Sequence, residues 1–157
     1  MMTQLRDVMN SIGLLILRVG IGGYMLTHGW GKFQMVLAGD FDQFGDPIGL
    51  GSGVSLVLVT FAEFLCAALV IIGLGTRVAA APIVFAMGVA AFVAHAADPW
   101  TMGQGAALYH AGEAESWASK QPALMFMTVF LALVFTGGGR YSLDAAIGWY
   151  RRRQRHR

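Results

Sequence analysis

The sequence predicts an all-α integral membrane protein: a four-helix bundle followed by a short C-terminal amphipathic helix. Two observations carry this. The chain has 157 residues, of which 56% are hydrophobic and only 13% charged, against about a quarter charged in a soluble domain. Its apolar residues also gather in four runs, at about 11–37, 54–74, 78–98 and 120–136, separated by segments rich in glycine, proline or charge. A helix needs about 20 apolar residues to cross the hydrocarbon of a bilayer. None of the runs alternates as the shorter strands of a membrane barrel do. The four runs are read as one domain covering 1–157.

Residues 1–10 are polar, and Asn10 or Ser11 is placed to cap the first helix. This run carries Arg18, His28 and Lys32. Ionisable groups within a span are costly, so each is expected to face protein or water and to mark function. Arg18, Met25 and Lys32 recur at seven-residue spacing and share a face, with His28 four residues before Lys32. Gly22 and Gly29 repeat the same spacing, and small residues let a neighbouring helix come close. Val36-Leu37-Ala38 resembles a signal-peptide cleavage site only loosely. The apolar stretch before it is too long and too interrupted by charge, so the helix is expected to be retained.

Residues 39–51 are read as a loop with Asp40, Asp42 and Asp46 and no Lys or Arg. The second run has a single charge, Glu63, near its middle. The short turn Gly73–Arg77 makes the second and third helices antiparallel neighbours. Pro82 is placed in the first turns of the third helix, where a missing N–H is tolerated. His95 and Asp98, three apart, end that helix on one face. Residues 99–121 are read as a long loop, with Trp100, Tyr109 and Trp117 suited to a membrane interface. The fourth run is the shortest; Pro122 suits its first turn and Gly137–Gly139 stop it.

Ser142 is placed as the N-cap of a last helix, in which Leu143, Ile147 and Tyr150 line one side ahead of Arg151–Arg153. That pattern fits a segment lying on a membrane. Five of the eleven Lys and Arg residues fall within 151–157. Beside so apolar a body they point to anionic lipid, at roughly 1 kcal/mol per basic residue, and not to nucleic acid. Arg6, Arg77, Arg140 and the tail fall on one side of the predicted membrane, and only Lys120 lies in the loops opposite. The chain is therefore expected in a plasma or inner membrane with both termini cytoplasmic.

Two levels of candidate site residues follow. At about 1.5 Å per residue, Arg18 lies roughly 10 Å and Glu63 roughly 16 Å from the inner ends of their runs, which predicts an intramembrane ion pair between them. Nearer the other face, His28 and Lys32 end the first helix and His95 and Asp98 end the third. With Tyr24 they form a candidate outer polar pocket. Its donors suit the carbonyls of a quinone head or another small amphipathic molecule, and the methionines, Met25, Met35, Met87, Met102, Met125 and Met127, suit a soft wall. Two histidines and one aspartate fall short of a closed metal set, so no metal is predicted. Cys66 is the single cysteine, which excludes an internal disulfide or a CxxC redox pair. HExxH and P-loop patterns do not occur, and no catalytic residue is identified.

Four marks stand in order along the chain. They are Arg18 to Gly20 followed by His28-Gly29-Trp30-Gly31-Lys32; Glu63; the turn Gly73-Leu74-Gly75-Thr76-Arg77; and Gly137-Gly138-Gly139-Arg140-Tyr141-Ser142-Leu143-Asp144. In these the chain resembles the DoxX family of small four-helix membrane proteins, with Gly138 where the family commonly has proline. The resemblance implies a subunit or partner of a membrane oxidoreductase system, with a quinone as the cofactor to consider. The family name comes from a subunit of a thiosulfate:quinone oxidoreductase in an archaeon, and other relatives look like membrane partners of thiol oxidoreductases. With one cysteine, a redox role here requires a bound quinone, another cofactor or a partner subunit. Two alternatives stay open: a small transporter or permease with Arg18 and Glu63 in its path, and an assembly or scaffold protein without catalysis. The partners implied are the bilayer, anionic lipid, a partner oxidoreductase subunit and a second copy of the chain.

Overall fold

A computed structural model describes residues 2–155. Among these the chain is helical, with no strand. Helix α1 runs Met2–Ala38, longer at its start than expected. Its first residues contain neither glycine nor proline, and Met, Gln, Leu and Arg favour helix. Ser11 therefore does not cap it. Its hydroxyl donates to the Asp7 carbonyl at 2.8 Å, one turn back within the helix.

A 3₁₀ turn, Phe41–Gln43, leads through the acidic loop to α2, Ser52–Ile72. Asp46 closes this loop by accepting the Gly51 and Leu50 N–H groups at 2.8 and 3.1 Å and the Ser55 hydroxyl at 2.7 Å. Helix α3, Thr76–Ala94, follows the tight Gly73–Gly75 turn. Pro82 lies well inside α3, because the helix begins at Thr76; there it offers no amide hydrogen to the carbonyl four residues back.

The segment after α3 is not a structureless loop. It contains α4, Met102–His110, started by a capping box in which Thr101 and Gln104 each accept the other's backbone N–H at 3.2 Å. Lys120 then ties the segment back, donating to the Ala96 and Asp98 carbonyls of the turn after α3 at 2.8 and 2.9 Å. Helix α5 is Gln121–Thr136 and α6 is Leu143–Arg155.

Gln4–Ala38, Ser52–Ile72 and Thr76–Ala94 are long and apolar enough to cross a membrane. Helix α5 is as apolar but has only 16 residues, about 24 Å of helix. Its flank packs along α3. The core draws Met25 from α1, Cys66, Ala67 and Val70 from α2, Ala80, Ile83 and Met87 from α3, and Phe130 and Leu133 from α5.

Helices α1 and α2 run antiparallel with their backbones close. Gly29 is the closest point: a Cβ there would lie 2.6 Å from the Glu63 carbonyl carbon. Gly22 meets Ile71 lower down, and Arg18 meets the end of α2 at Val70 and Ile71. This register fixes what each charge on α1 can reach.

Candidate functional site

The register separates Arg18 from Glu63. Arg18 lies eleven residues before Gly29, about 16 Å along the helix, and Gly29 is the residue at the Glu63 level. The expected ion pair between Arg18 and Glu63 is therefore not formed. The run boundaries gave the wrong depths, because α1 begins at Met2, well beyond the end of α2, and Arg18 is level with that end at Val70 and Ile71.

Arg18 is instead 2% exposed at the far end of α2. It donates to the Ile71 carbonyl at 2.8 Å, to the Val70 carbonyl at 3.4 Å and to the Tyr141 carbonyl. The last carbonyls of a helix lack internal partners and carry the negative end of its dipole, so they suit a guanidinium. Gly73, with φ +75°, leaves room for the guanidinium, where a side chain would collide with it and with Ser142. The stretch after α5 completes this end. Asp144 accepts the Gly75 and Thr76 N–H groups at 2.8 and 3.1 Å, capping α3 from another helix. Ser142 caps α6 through the Ala145 N–H at 3.2 Å, as its position predicted. Three of the four sequence marks thus meet here, and their contacts are structural.

Glu63 pairs with Lys32, whose ammonium donates to Oε2. Glu63 lies in a π-helical turn, Phe61–Cys66. Such turns are frequent at functional sites. The pair lines a cavity of about 680 Å³ whose wall is mostly apolar. Leu58 and Val59 come from α2, Phe85 and Val89 from α3, and Phe126 from α5. Phe44, Pro47 and Ile48 of the first loop and Trp117 of the segment before α5 also line it. Asp46 holds that first loop. Its hydrogen bonds from Ser55 and then from the Gly51 amide keep its carboxyl below the usual aspartate range, against a smaller opposing effect of burial.

His28 and His95 are on the same wall. His28 faces the Phe126 ring, centroids 6.0 Å apart. His95 follows a second π-helical turn, Ala90–Ala94, and its Nδ1 lies 2.6 Å from Asp98 Oδ2. Asp98 orients His95 and does not itself line the cavity. The structure thus brings together His28, Lys32, His95 and, through His95, Asp98.

Tyr24 is not among them. It is 70% exposed, because it lies two residues from inward-facing Gly22 and so on the opposite side of α1. Met87 and Met102 line the cavity, whereas Met25 is in the core and Met125 points outward. Among the described residues, no three His, Cys, Asp or Glu side chains converge as a metal set would. Sequence reasoning missed Glu63 as a member of the cavity, together with the aromatic wall. The sequence carried no signal for the Lys32–Glu63 pairing, which depends on the close approach at Gly29.

The DoxX family model matches residues 13–96. The chain belongs to the DoxX family. The match takes in α1 from Gly13 to its end, α2 and α3, and so contains Arg18, His28, Lys32, Glu63, the Gly73–Arg77 turn and His95. It stops before α5 and the Gly137–Asp144 stretch. No curated protein and no solved structure matches the chain. For this DoxX protein the family and the apolar helices establish a membrane protein, and the cavity is the feature from which function is to be argued.

Proposed function

We propose that this DoxX protein is a four-helix bundle in the cell's inner membrane that takes a quinone, or a similar small amphipathic molecule, into the cavity beside Lys32 and Glu63. It would serve there as a subunit or partner of a membrane oxidoreductase system. The observation that carries the reading is the cavity itself. It is roomy and apolar for most of its wall, with Lys32, His28 and His95 as its donors. Ligand sites commonly have this character, an apolar enclosure with a few converging polar groups. A quinone fits that donor set: its carbonyls accept hydrogen bonds from ammonium or imidazole N–H groups, and its hydrocarbon tail suits Leu58, Val59 and Phe85. When bound, a quinone supplies electron-carrier chemistry that a chain with one cysteine lacks. Asp98 would orient His95, and the aromatic wall would exclude water.

In this arrangement α5 is the fourth span, tilted little because it is short, and both termini are cytoplasmic. Helix α6 rests on the inner surface, with Leu143, Ile147 and Tyr150 towards the lipid and Arg151, Arg152 and Arg153 among anionic headgroups. The permease reading, with Arg18 and Glu63 in its path, is favoured less, because Glu63 lines the cavity and Arg18 does not.

The test is extraction of the full chain, purified in a mild detergent, for bound quinone, followed by titration with a short-tailed quinone while Trp117 fluorescence is recorded. Co-purifying quinone and saturable quenching, lost in Trp117→Phe, are expected. Absence of both overturns the reading.

A further inference from the structure

The cavity wall holds a polar group that the residues described so far do not engage. Ser119 is a lining residue, is 6% exposed, and its hydroxyl has no hydrogen-bond partner among the described residues. On the basis of the ligand-site reading above, we propose that Ser119 determines specificity. The cavity takes a neutral head with two hydrogen-bond acceptors, one received by Lys32 and the other by the Ser119 hydroxyl. A ring with two para carbonyls is the simplest such head.

A serine just before a helix commonly caps it, but Ser119 does not. The N-cap of α5 is Lys120, and no side chain caps that end. The backbone around Ser119 is nonetheless firmly held. The Lys120 N–H donates to the Pro99 carbonyl at 3.0 Å, and its ammonium to the Ala96 and Asp98 carbonyls. Helix α4 also lies against this stretch, so close that a Cβ on Gly105 would sit 2.6 Å from the Ala118 carbonyl oxygen. A buried hydroxyl kept in place without a partner is disfavoured, and a ligand acceptor relieves that. His95 is the other donor nearby, but its side chain is 43% exposed and already paired with Asp98.

Lys32 reaches the cavity from the α1–α2 side and Ser119 from the α3–α5 side. Phe126, five residues into α5, faces the His28 ring, and Lys32 lies four residues past His28 towards the end where α5 begins. At about 1.5 Å per residue these offsets are roughly 7.5 and 6 Å, so Lys32 comes near the level at which α5 starts. A head lying between the two sides at that level meets both donors. The Lys32 ammonium has three N–H donors, so it can serve a carbonyl while keeping its bond to Glu63. Lys32 and Glu63 are neutral together, and a carbonyl adds no charge to an apolar enclosure, where an unpaired charge is strongly disfavoured.

Two rings serve as probes, each titrated calorimetrically into the full chain in detergent. Both are cyclohexanes with a decyl chain; one has two para carbonyls and the other lacks the second. Neither carries a charge. Ser119→Ala is expected to weaken binding of the two-carbonyl ring about tenfold, as loss of one hydrogen bond does. It is expected to leave the one-carbonyl ring unchanged, because a lone carbonyl goes to the charged donor, whose hydrogen bond is stronger. Comparing the two proteins with the same ring cancels partition into detergent. Without a ring, Ser119→Ala should melt no lower than the wild type, since no protein group loses a partner. Equal effects on both rings, or none on either, overturn this inference and leave the cavity reading standing. A lower melting temperature for the variant without a ring shows a structural role for the hydroxyl and overturns the inference too. If the wild type binds neither ring, the inference and the cavity reading both fail.

Discussion

Gly29→Ala is the sharpest perturbation of the α1–α2 register. The added Cβ would lie 2.6 Å from the Glu63 carbonyl carbon, 2.7 Å from its oxygen and 2.8 Å from the Phe64 nitrogen. All three are backbone atoms, so no rotamer change relieves the contact. Carbon–carbon contacts settle near 3.5 Å, so the helices must part by about 1 Å at this level. Overpacking of this kind costs about 1–3 kcal/mol. Against it stands the better helix propensity of alanine, about 1 kcal/mol. Gly20→Ala is the matched control, because its Cβ meets nothing within 4 Å. Gly29→Ala is therefore expected to be less stable than Gly20→Ala by about 1–3 kcal/mol, or several degrees in Tm at roughly 2–4 °C per kcal/mol. Thermal unfolding in one detergent, followed by circular dichroism, measures the difference. Equal melting temperatures for the two variants would refute the close backbone approach, and with it the register that brings Lys32 to Glu63.

Two further predictions concern the ends of the molecule. Arg18→Met should strip the Ile71 and Tyr141 carbonyls of their donor at a cost of about 2–4 kcal/mol; faster tryptic cleavage after Arg140 would report release of the following segment, and unchanged cleavage would contradict the tie. For Asp46, the folded-state carboxyl titrates below its unfolded value, so its contribution is complete above the unfolded value of about 3.9 and is lost as pH falls through the folded one. Protection of the Leu50 and Gly51 amides, corrected for intrinsic exchange, should drop over that acid window in the wild type and show no such step in Asp46→Asn.

Helix type, the approximate positions of three membrane-capable helices and the presence of charges within them were legible, because they depend on apolar content and spacing within single segments. The pairing of those charges was not, because it depends on how two helices slide past each other. Gly29 set that offset, and a glycine in a sequence does not declare which backbone it will touch. The two π-helical turns were equally hidden. Glu63 lies within the first and His95 follows the second, and both residues border one cavity. Helix α4 was missed for another reason: the Thr101–Gln104 capping signal was present, but the surrounding alanines, glycines and histidine obscured any periodic face.

Arg18 and Lys32 also show why charge alone is a poor guide to function. Arg18 and Lys32 stand on the same face of α1 and were equally suspicious by cost. Arg18 ends against backbone carbonyls that no substitution of side chains removes, in a corner sealed by Gly73 and Ser142. It holds helices together and does not line the cavity. Lys32 ends against a carboxylate, on the wall of about 680 Å³ of largely apolar space. An ammonium has three N–H donors, so Lys32 can meet a further acceptor in that space without leaving Glu63. The difference between a structural cation and one fit for chemistry thus lies in what the partner is and in whether space adjoins it.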